Sequence, residues 1–413
     1  MDYGLIGAKL GHSYSPAIHA QLGDYDYRLV EQTEQEFTEL LARRDFKGLN
    51  VTIPYKKLAH SLCDALSDTA REVGCVNTLV VREDGSLYGH NTDIGGFIAM
   101  ARRAGVEIAG KKAVILGSGG TSLTARTACR RLGAREIVVV SRSGPVDYDA
   151  LYRDHADAQV LINTTPVGMY PKNGASAADL SRLPALTGVL DVIYNPDKTA
   201  LILDAEARGL PCCGGLYMLV GQAREAAELF LGRSIPESET ERIHRQLRDE
   251  ALNVILIGMP GCGKSRVGQA LAERMGRPFV DLDEEIVRRA GLSIPEIFAR
   301  DGEAGFRALE VQIVAEVCRE KGRVVATGGG AILREDNVRA MRQNGRLILL
   351  ERRLDALSMD GRPLSKSAEA LEAMWQARKE KYRAAADATV DNNGAPEETV
   401  ARAEEAYHEA VDR

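Results

Sequence analysis

A single tryptophan, with aromatic residues at only 5% of the chain, leaves little from which to build a base-stacking surface. A basic excess is missing as well. Lys and Arg number 53 against 59 Asp and Glu, a net charge of −6, which is no electrostatic footprint for nucleic acid. No run approaches the ~18 apolar residues that a membrane span requires. The opening residues, Met1 to Ser13, lack a basic stretch followed by an apolar one, so no signal peptide is expected. The seven cysteines contain no Cys-x-x-Cys spacing and read as free thiols in a reducing compartment. These absences predict a cytoplasmic protein that acts on small molecules, without nucleic-acid or membrane partners, and they carry no signal for an oligomeric state.

What is present is a chain of 413 residues, 45% apolar, enough for two or three domains. Short apolar runs alternate with helical segments. Strands are expected at Tyr3–Gly7, Tyr25–Val30 and Gly48–Ile53, with a hairpin through Thr78–Arg82 and Ser86–Tyr88. Further strands are expected at Ala113–Leu116, Glu136–Val140, Val160–Asn163 and Gly188–Val192, the rhythm of a parallel sheet covered by helices. From Leu216 the pattern is helical to Glu250, the last helix starting at Ser234-Ile-Pro236. A second α/β pattern begins near Leu252. The expected boundaries are 1–249 and 252–413. Within the first, 1–95 with 216–249 forms a substrate-binding part and 96–215 a nucleotide-binding part.

Two glycine-rich loops carry the nucleotide chemistry. The first follows an apolar run as Gly117-Ser-Gly-Gly-Thr-Ser122 and leads into a helix. Glycines let the backbone approach a pyrophosphate, and a helix N-terminus offers free N–H groups. Gly117, Ser118, Gly119, Gly120 and Thr121 are therefore the candidate cradle. The next strand ends in Ser141-Arg142-Ser143, where an acidic residue would select NAD. An arginine there accommodates a 2′-phosphate, so NADP(H) is expected.

Around this loop stand short polar clusters at strand ends: Gly11-His-Ser-Tyr-Ser-Pro16, Asn50-Val-Thr-Ile-Pro-Tyr-Lys56, Gly74-Cys-Val-Asn-Thr78 and Gly89-His-Asn-Thr-Asp93. Asn163-Thr-Thr-Pro-Val-Gly-Met169, Asp191-Val-Ile-Tyr-Asn195 and Gly215-Leu-Tyr-Met-Leu-Val-Gly-Gln222 follow. In this order the series resembles shikimate dehydrogenase across residues 1–249. The resemblance implies a Rossmann-like NADP domain beside an α/β substrate domain. It makes Lys56 and Asp93 the acid–base pair for a ketone reduction. It assigns Ser13, Ser15, Thr52, Asn77, Asp93, Tyr194 and Gln222 to the substrate and adds Gly215 to the cofactor side. One departure is Leu123, where the family commonly carries an arginine.

The second loop, Gly258-Met-Pro-Gly-Cys-Gly-Lys-Ser265, fits the P-loop pattern between a strand and a helix. Backbone N–H groups from Gly261, Cys262, Gly263, Lys264, Ser265 and Arg266 are expected to wrap ATP phosphates. The Lys264 ammonium reaches the outer ones, and Ser265 serves Mg²⁺. Phe279-Val-Asp-Leu-Asp283 reads as a strand whose two carboxylates share one face. One is suited to Mg²⁺ through water, the other to a hydroxyl. Arg307 and Glu310 lie one helical turn apart. Val324-Val-Ala-Thr-Gly-Gly-Gly-Ala331 runs into three glycines, Asp360-Gly-Arg-Pro-Leu364 reads as a lid, and Trp375–Tyr382 as a helix bearing Arg378.

That set resembles shikimate kinase over 252–413, a P-loop domain with a parallel sheet. The resemblance implies that Ser265 and Asp281 organise Mg²⁺ and that Asp283 meets the attacking hydroxyl. Arg307, Arg378, Gly329 and Gly330 hold the substrate, while Lys264 and Arg362 neutralise the transferring phosphoryl group. Two features depart from the family. Arg378 is followed by Lys-Glu-Lys-Tyr without the common proline, and the short stretch Leu354–Arg362 lacks an extra arginine often found before the lid.

Together the resemblances imply a bifunctional enzyme that reduces 3-dehydroshikimate with NADPH and phosphorylates shikimate with ATP and Mg²⁺. Two alternatives stand beside it: a quinate/shikimate dehydrogenase joined to another small-molecule kinase, or one domain acting as a regulatory binding module.

Overall fold

The computed structural model describes residues 2–11, 13–357 and 368–412. The chain divides into two compact units. One comprises Met1–Asn195 with Thr199–His244, the other Pro196–Lys198 with Arg245–Arg413.

The first unit contains two sheets. β1 (Tyr3–Gly7), β2 (Tyr27–Glu31), β3 (Gly48–Val51), β4 (Ala65–Leu66), β5 (Thr78–Val81) and β6 (Leu87–His90) stand in the order β2-β1-β3-β5-β6-β4. β5 runs antiparallel to both β3 and β6, as the expected hairpin requires. β2 and β3 are shorter than their apolar runs suggest. Past Val51 the backbone turns at Thr52–Tyr55, since Pro54 has no N–H to offer a ladder.

β7 (Lys112–Leu116), β8 (Glu136–Val140), β9 (Val160–Asn163), β10 (Gly188–Asp191) and β11 (Cys212–Cys213) form a sheet paired in parallel throughout, ordered β11-β10-β9-β7-β8. The chain leaves β7 to build β8 on one side and β9 on the other. The loop after β7 therefore sits at a topological switch point, where such sheets bind ligands.

Two helices, Asp93–Arg103 and Leu216–Leu231, cross in the first unit. Glycines set how close they come: a Cβ on Gly96 would lie 2.5 Å from the Met218 carbonyl oxygen, and one on Gly221 3.3 Å from the Gly96 Cα. That close crossing brings Asp93 beside Met218, Leu219 and Gln222.

The second unit is built on β12 (Asn253–Ile257), β13 (Phe279–Asp281), β14 (Val324–Ala326), β15 (Gly345–Glu351) and β16 (Ala388–Asp391), all parallel, in the order β13-β14-β12-β15-β16. β12 is fully buried, and the phosphate loop follows it. The sequence expected Asp281 and Asp283 on one face of an extended strand. Instead β13 stops at Asp281, whose carboxylate N-caps the helix Leu282–Ala290 by accepting from the Asp283 and Glu284 N–H groups. Asp283 belongs to that helix's first turn.

Candidate active sites

In the first unit a cleft of about 380 Å³ opens between the two sheets. It is lined by Ser13, Ser15, Asn50, Thr52, Lys56, Asn77, Asp93, Thr121, Tyr194, Gly215 and Gln222, among others. Residues expected at the substrate thus converge with Thr121, from the first turn of the nucleotide helix Gly120–Arg131.

Lys56 opens the helix Lys56–Leu62, Asp93 opens the helix Asp93–Arg103, and they meet at 2.5 Å between Nζ and Oδ2. Their side chains are 28% and 15% exposed, so the pair is screened yet reachable from the cleft. Asn77 donates its amide to the other oxygen of Asp93 at 3.0 Å, and its Oδ1 accepts from the Thr92 N–H at 2.8 Å. Ser13 and Ser15 hydroxyls lie 3.2 Å apart. The Tyr194 ring meets Tyr14 edge-on at 6.0 Å, and burial raises its phenol above the ordinary range. The Gln222 amide donates to the Leu219 carbonyl at 2.8 Å. Gly215 is obligatory, since a Cβ there would fall on the Val192 carbonyl oxygen.

On the cofactor side, Gly117 has φ +103, a conformation L side chains avoid, and a Cβ there would lie 2.9 Å from the Thr164 hydroxyl. A Cβ on Gly119 or Gly120 would meet nothing within 4 Å. The loop's outer face is open and the following helix has no side-chain cap; the Ser122 N–H is taken by the Gly119 carbonyl, which leaves those of Gly120 and Thr121 for a pyrophosphate. Ser118 continues this loop. Ser141 is buried with its N–H bonded to the Val146 carbonyl, while Arg142 and Ser143 are exposed at the end of β8. These residues fit NADP(H).

In the second unit, Gly258, Gly261 and Gly263 all take positive φ around the phosphate loop. The Cys262 N–H meets the Met259 carbonyl at 3.3 Å within the loop. The Cys262 carbonyl is held by the Asn392 amide at 2.5 Å. The helix Lys264–Met275, which carries Lys264, Ser265 and Arg266 in its first turn, has no side-chain cap and leaves those N–H groups free of one. The Lys264 ammonium donates to the carbonyls of Gly258 and Met259, both at 2.9 Å.

The Ser265 hydroxyl donates to Asp281 Oδ2 at 2.5 Å. This pair of oxygen ligands fits Mg²⁺, which prefers a few protein oxygens completed by phosphate and water. Among the described residues no cluster of three or more His, Cys, Asp or Glu side chains suggests a different metal.

The substrate side forms around Gly328–Gly330. A Cβ on Gly328 would lie 2.7 Å from Asp283 Oδ1, one on Gly329 2.5 Å from Pro260, and one on Gly330 would collide with the Arg307 guanidinium. Arg307 and Glu310 form a 2.9 Å ion pair. This is no solvated surface pair, for Glu310 is 1% exposed and burial raises its pKa against the pull of Arg307. Arg378 Nη1 donates to the Gly329 carbonyl at 3.3 Å, where Tyr382 also donates. Asp283, Arg307, Gly329, Gly330 and Arg378 thus share one neighbourhood. Arg362 and the expected lid lie outside the described residues.

Sequence reasoning passed over Asn50 and Thr92 in the cleft network and, in the second unit, Asn392 and Asn337, whose amide donates to the Ala331 carbonyl at 3.0 Å beside the glycine run. Asn50 and Thr92 stand inside motifs already noted. Asn392 had no local signal: its role depends on a loop 130 residues upstream.

A hydride-transfer fold with an ammonium–carboxylate pair in its cleft, followed by a phosphate-loop fold, defines a two-domain enzyme: an oxidoreductase joined to a phosphotransferase. The model of the shikimate dehydrogenase substrate binding domain matches residues 5–79, and the shikimate kinase model matches residues 260–407. A shikimate dehydrogenase (NADP(+)) of Clostridium perfringens (strain SM101 / Type A) is 35% identical over 266 residues, covering 60% of this chain and 98% of the relative. The chain belongs to the shikimate dehydrogenase family, and it carries a shikimate kinase domain downstream.

Solved structures agree. A chorismate mutase/shikimate 5-dehydrogenase fusion protein from Clostridium acetobutylicum superposes with a TM-score of 0.56 at 36% identity, over 59% of this chain and 96% of that one. A shikimate 5-dehydrogenase of Thermus thermophilus, in complex with NADP(H) and shikimate, gives 0.53 at 29% identity, over 60% and 99%. Quinate dehydrogenase from Corynebacterium glutamicum in complex with NAD gives 0.54 at 28%, over 59% and 97%. Among the described residues no helix is long and apolar enough to cross a membrane.

Proposed function

We propose that residues 1–249 reduce 3-dehydroshikimate to shikimate with NADPH, and that residues 252–413 transfer the γ-phosphoryl group of ATP to the 3-hydroxyl of that shikimate. The observation that carries the reading is the Lys56–Asp93 pair, set in a cleft that the nucleotide helix also reaches through Thr121.

NADPH supplies the hydride. The chain supplies the proton: Lys56 Nζ donates it to the oxygen that becomes the hydroxyl, and Asp93 orients and charge-balances the ammonium. Ser13, Ser15, Thr52, Asn77, Tyr194 and Gln222 bind the carboxylate and ring hydroxyls. The opened face of Gly117–Thr121 takes the pyrophosphate, Gly215 lies against the cofactor, and Arg142 with its serine neighbours receives the 2′-phosphate.

In the second unit Asp283 orients the attacking hydroxyl and accepts its proton, while Arg307 and Arg378 hold the substrate carboxylate against the Gly329–Gly330 backbone. Lys264 and Arg362 neutralise the phosphoryl oxygens, with Ser265 and Asp281 as the oxygen ligands for Mg²⁺. The alcohol produced by the first chemistry is the acceptor for the second, which supports both assignments.

The test is to incubate the full chain with 3-dehydroshikimate, NADPH, ATP and Mg²⁺ and follow shikimate 3-phosphate. Lys56→Ala should abolish NADP-linked oxidation of shikimate and leave phosphorylation intact; Asp283→Asn should do the reverse. Wild-type rates for both reactions in both variants would overturn the assignment. The likeness to a quinate dehydrogenase makes quinate with NAD the control substrate pair, and turnover of that pair above shikimate with NADP would replace the first reading.

A further inference from the structure

Asn50 lines the cleft and is 5% exposed, and what holds it begins well away from the reacting centre. Tyr27, on β2, donates its hydroxyl to Asn50 Oδ1 at 2.7 Å. The Asn50 amide donates to the Thr78 hydroxyl at 3.1 Å, and that hydroxyl donates to Asn77 Oδ1 at 3.1 Å. The Asn77 amide donates to Asp93 Oδ1 at 3.0 Å, and Asp93 Oδ2 accepts from Lys56. From Tyr27 to Asp93 every bond points the same way. The chain starts at a phenol and ends on a carboxylate.

Both ends fix that direction. An ionised carboxylate only accepts, so Asn77 must turn its NH₂ toward Asp93. At the other end Tyr27 is 9% exposed, and burial raises its phenol well above the ordinary range, keeping it a donor. The Tyr27 ring is itself clamped: His19 stacks on it at 3.8 Å with 7° between planes, and His19 Nδ1 is 2.6 Å from the Tyr25 hydroxyl. Bonds aligned head to tail polarise one another, so removing the first donor loosens the whole row.

We propose that Tyr27 is a positioning residue for the dehydrogenase reaction. Its hydroxyl sets the direction of the Tyr27–Asn50–Thr78–Asn77–Asp93 row, and through it the face of Asn50 in the cleft and the seat of the Asp93–Lys56 pair. This rests on the cleft being the dehydrogenase site.

Tyr27→Phe keeps the ring and its stacking and deletes one donor. In the full-length enzyme we expect the KM for shikimate to rise about tenfold, the upper end of what deleting one buried hydrogen bond costs; His19, which also bonds the Asn50 side chain, stays in place. The change in kcat should be smaller, with the KM for NADP⁺ and the kinase rate unchanged. A packing role alone would lower the Tm and leave the KM for shikimate in place, which overturns the proposal. Asn50→Ala and the double variant complete a cycle. If Tyr27 acts through Asn50, the double variant matches Asn50→Ala alone; additive losses overturn the proposal. A wild-type enzyme unable to oxidise shikimate would instead remove the dehydrogenase reading itself.

Discussion

His19 never faces the cleft, yet it has one of the largest displacements of any titrating group in the first unit. Burial pushes it from the ordinary 6.5 to about 3, against a hydrogen bond that the ring donates to Asn50, which pulls it up. The unfolded chain therefore binds a proton that the folded one refuses between those values. The stability His19 contributes is complete above about pH 6.5 and is lost as pH falls toward 3, at up to about 1.4 kcal/mol per pH unit. Asp191 works in the opposite sense: burial raises it from 3.8 to about 6, so its share is present below 3.8 and lost as pH rises through 6. The two slopes offset in the wild type and separate in variants. In hydrogen-exchange measurements on β1 and β3, His19→Gln should flatten the loss of protection between pH 6.5 and 5. An unchanged slope would mean the ring is protonated in the fold. Lys56, Asp93 and Lys264 were legible in the sequence because a motif names them. Tyr27 was not, because it acquires its role only from Asn50, a partner 23 residues away.

At the scale of elements, the strands were legible in the sequence where an apolar run met a glycine or polar cluster, as at β7, β8, β9 and β12. The Phe279–Asp283 segment was misread because one side chain can end a strand and start a helix at once: the Asp281 carboxylate takes the N–H groups of the next turn. The crossing of Asp93–Arg103 over Leu216–Leu231 was equally hidden, since the close approach depends on Gly96 and Gly221 facing each other. Gly96→Ala puts a methyl 2.5 Å from a backbone carbonyl that no side-chain rotation can move. Overpacking of this kind destabilises by roughly 1–3 kcal/mol. The separation it forces carries Asp93 away from Gln222. The expected result is at least a tenfold fall in shikimate oxidation with phosphorylation unaffected, measured on the same preparation. Equal activity in both assays would show that the helices can part without disturbing the cleft.

At the scale of the whole molecule, two units with separate cores should answer to different ligands. A ligand that binds only the folded state at 100 times its Kd adds about 2.7 kcal/mol. In calorimetry of the full chain, NADP⁺ should raise one unfolding transition and ADP with Mg²⁺ the other. If the proposed reactions are right, shikimate should raise both. NADP⁺ acting on the transition that responds to ADP would contradict the assignment of the glycine loops.

The hold of Asn392 on the Cys262 carbonyl bears on how the chain is made. Asn392 follows β16 and is itself held by Thr399, from the helix Pro396–Asp412. At about 5–20 residues per second, the ribosome needs on the order of ten seconds to travel from the phosphate loop to its clamp. The Tyr27–Asp93 row is by then long synthesised. On the nascent chain, every residue of the cleft is therefore synthesised before the phosphate loop has its clamp.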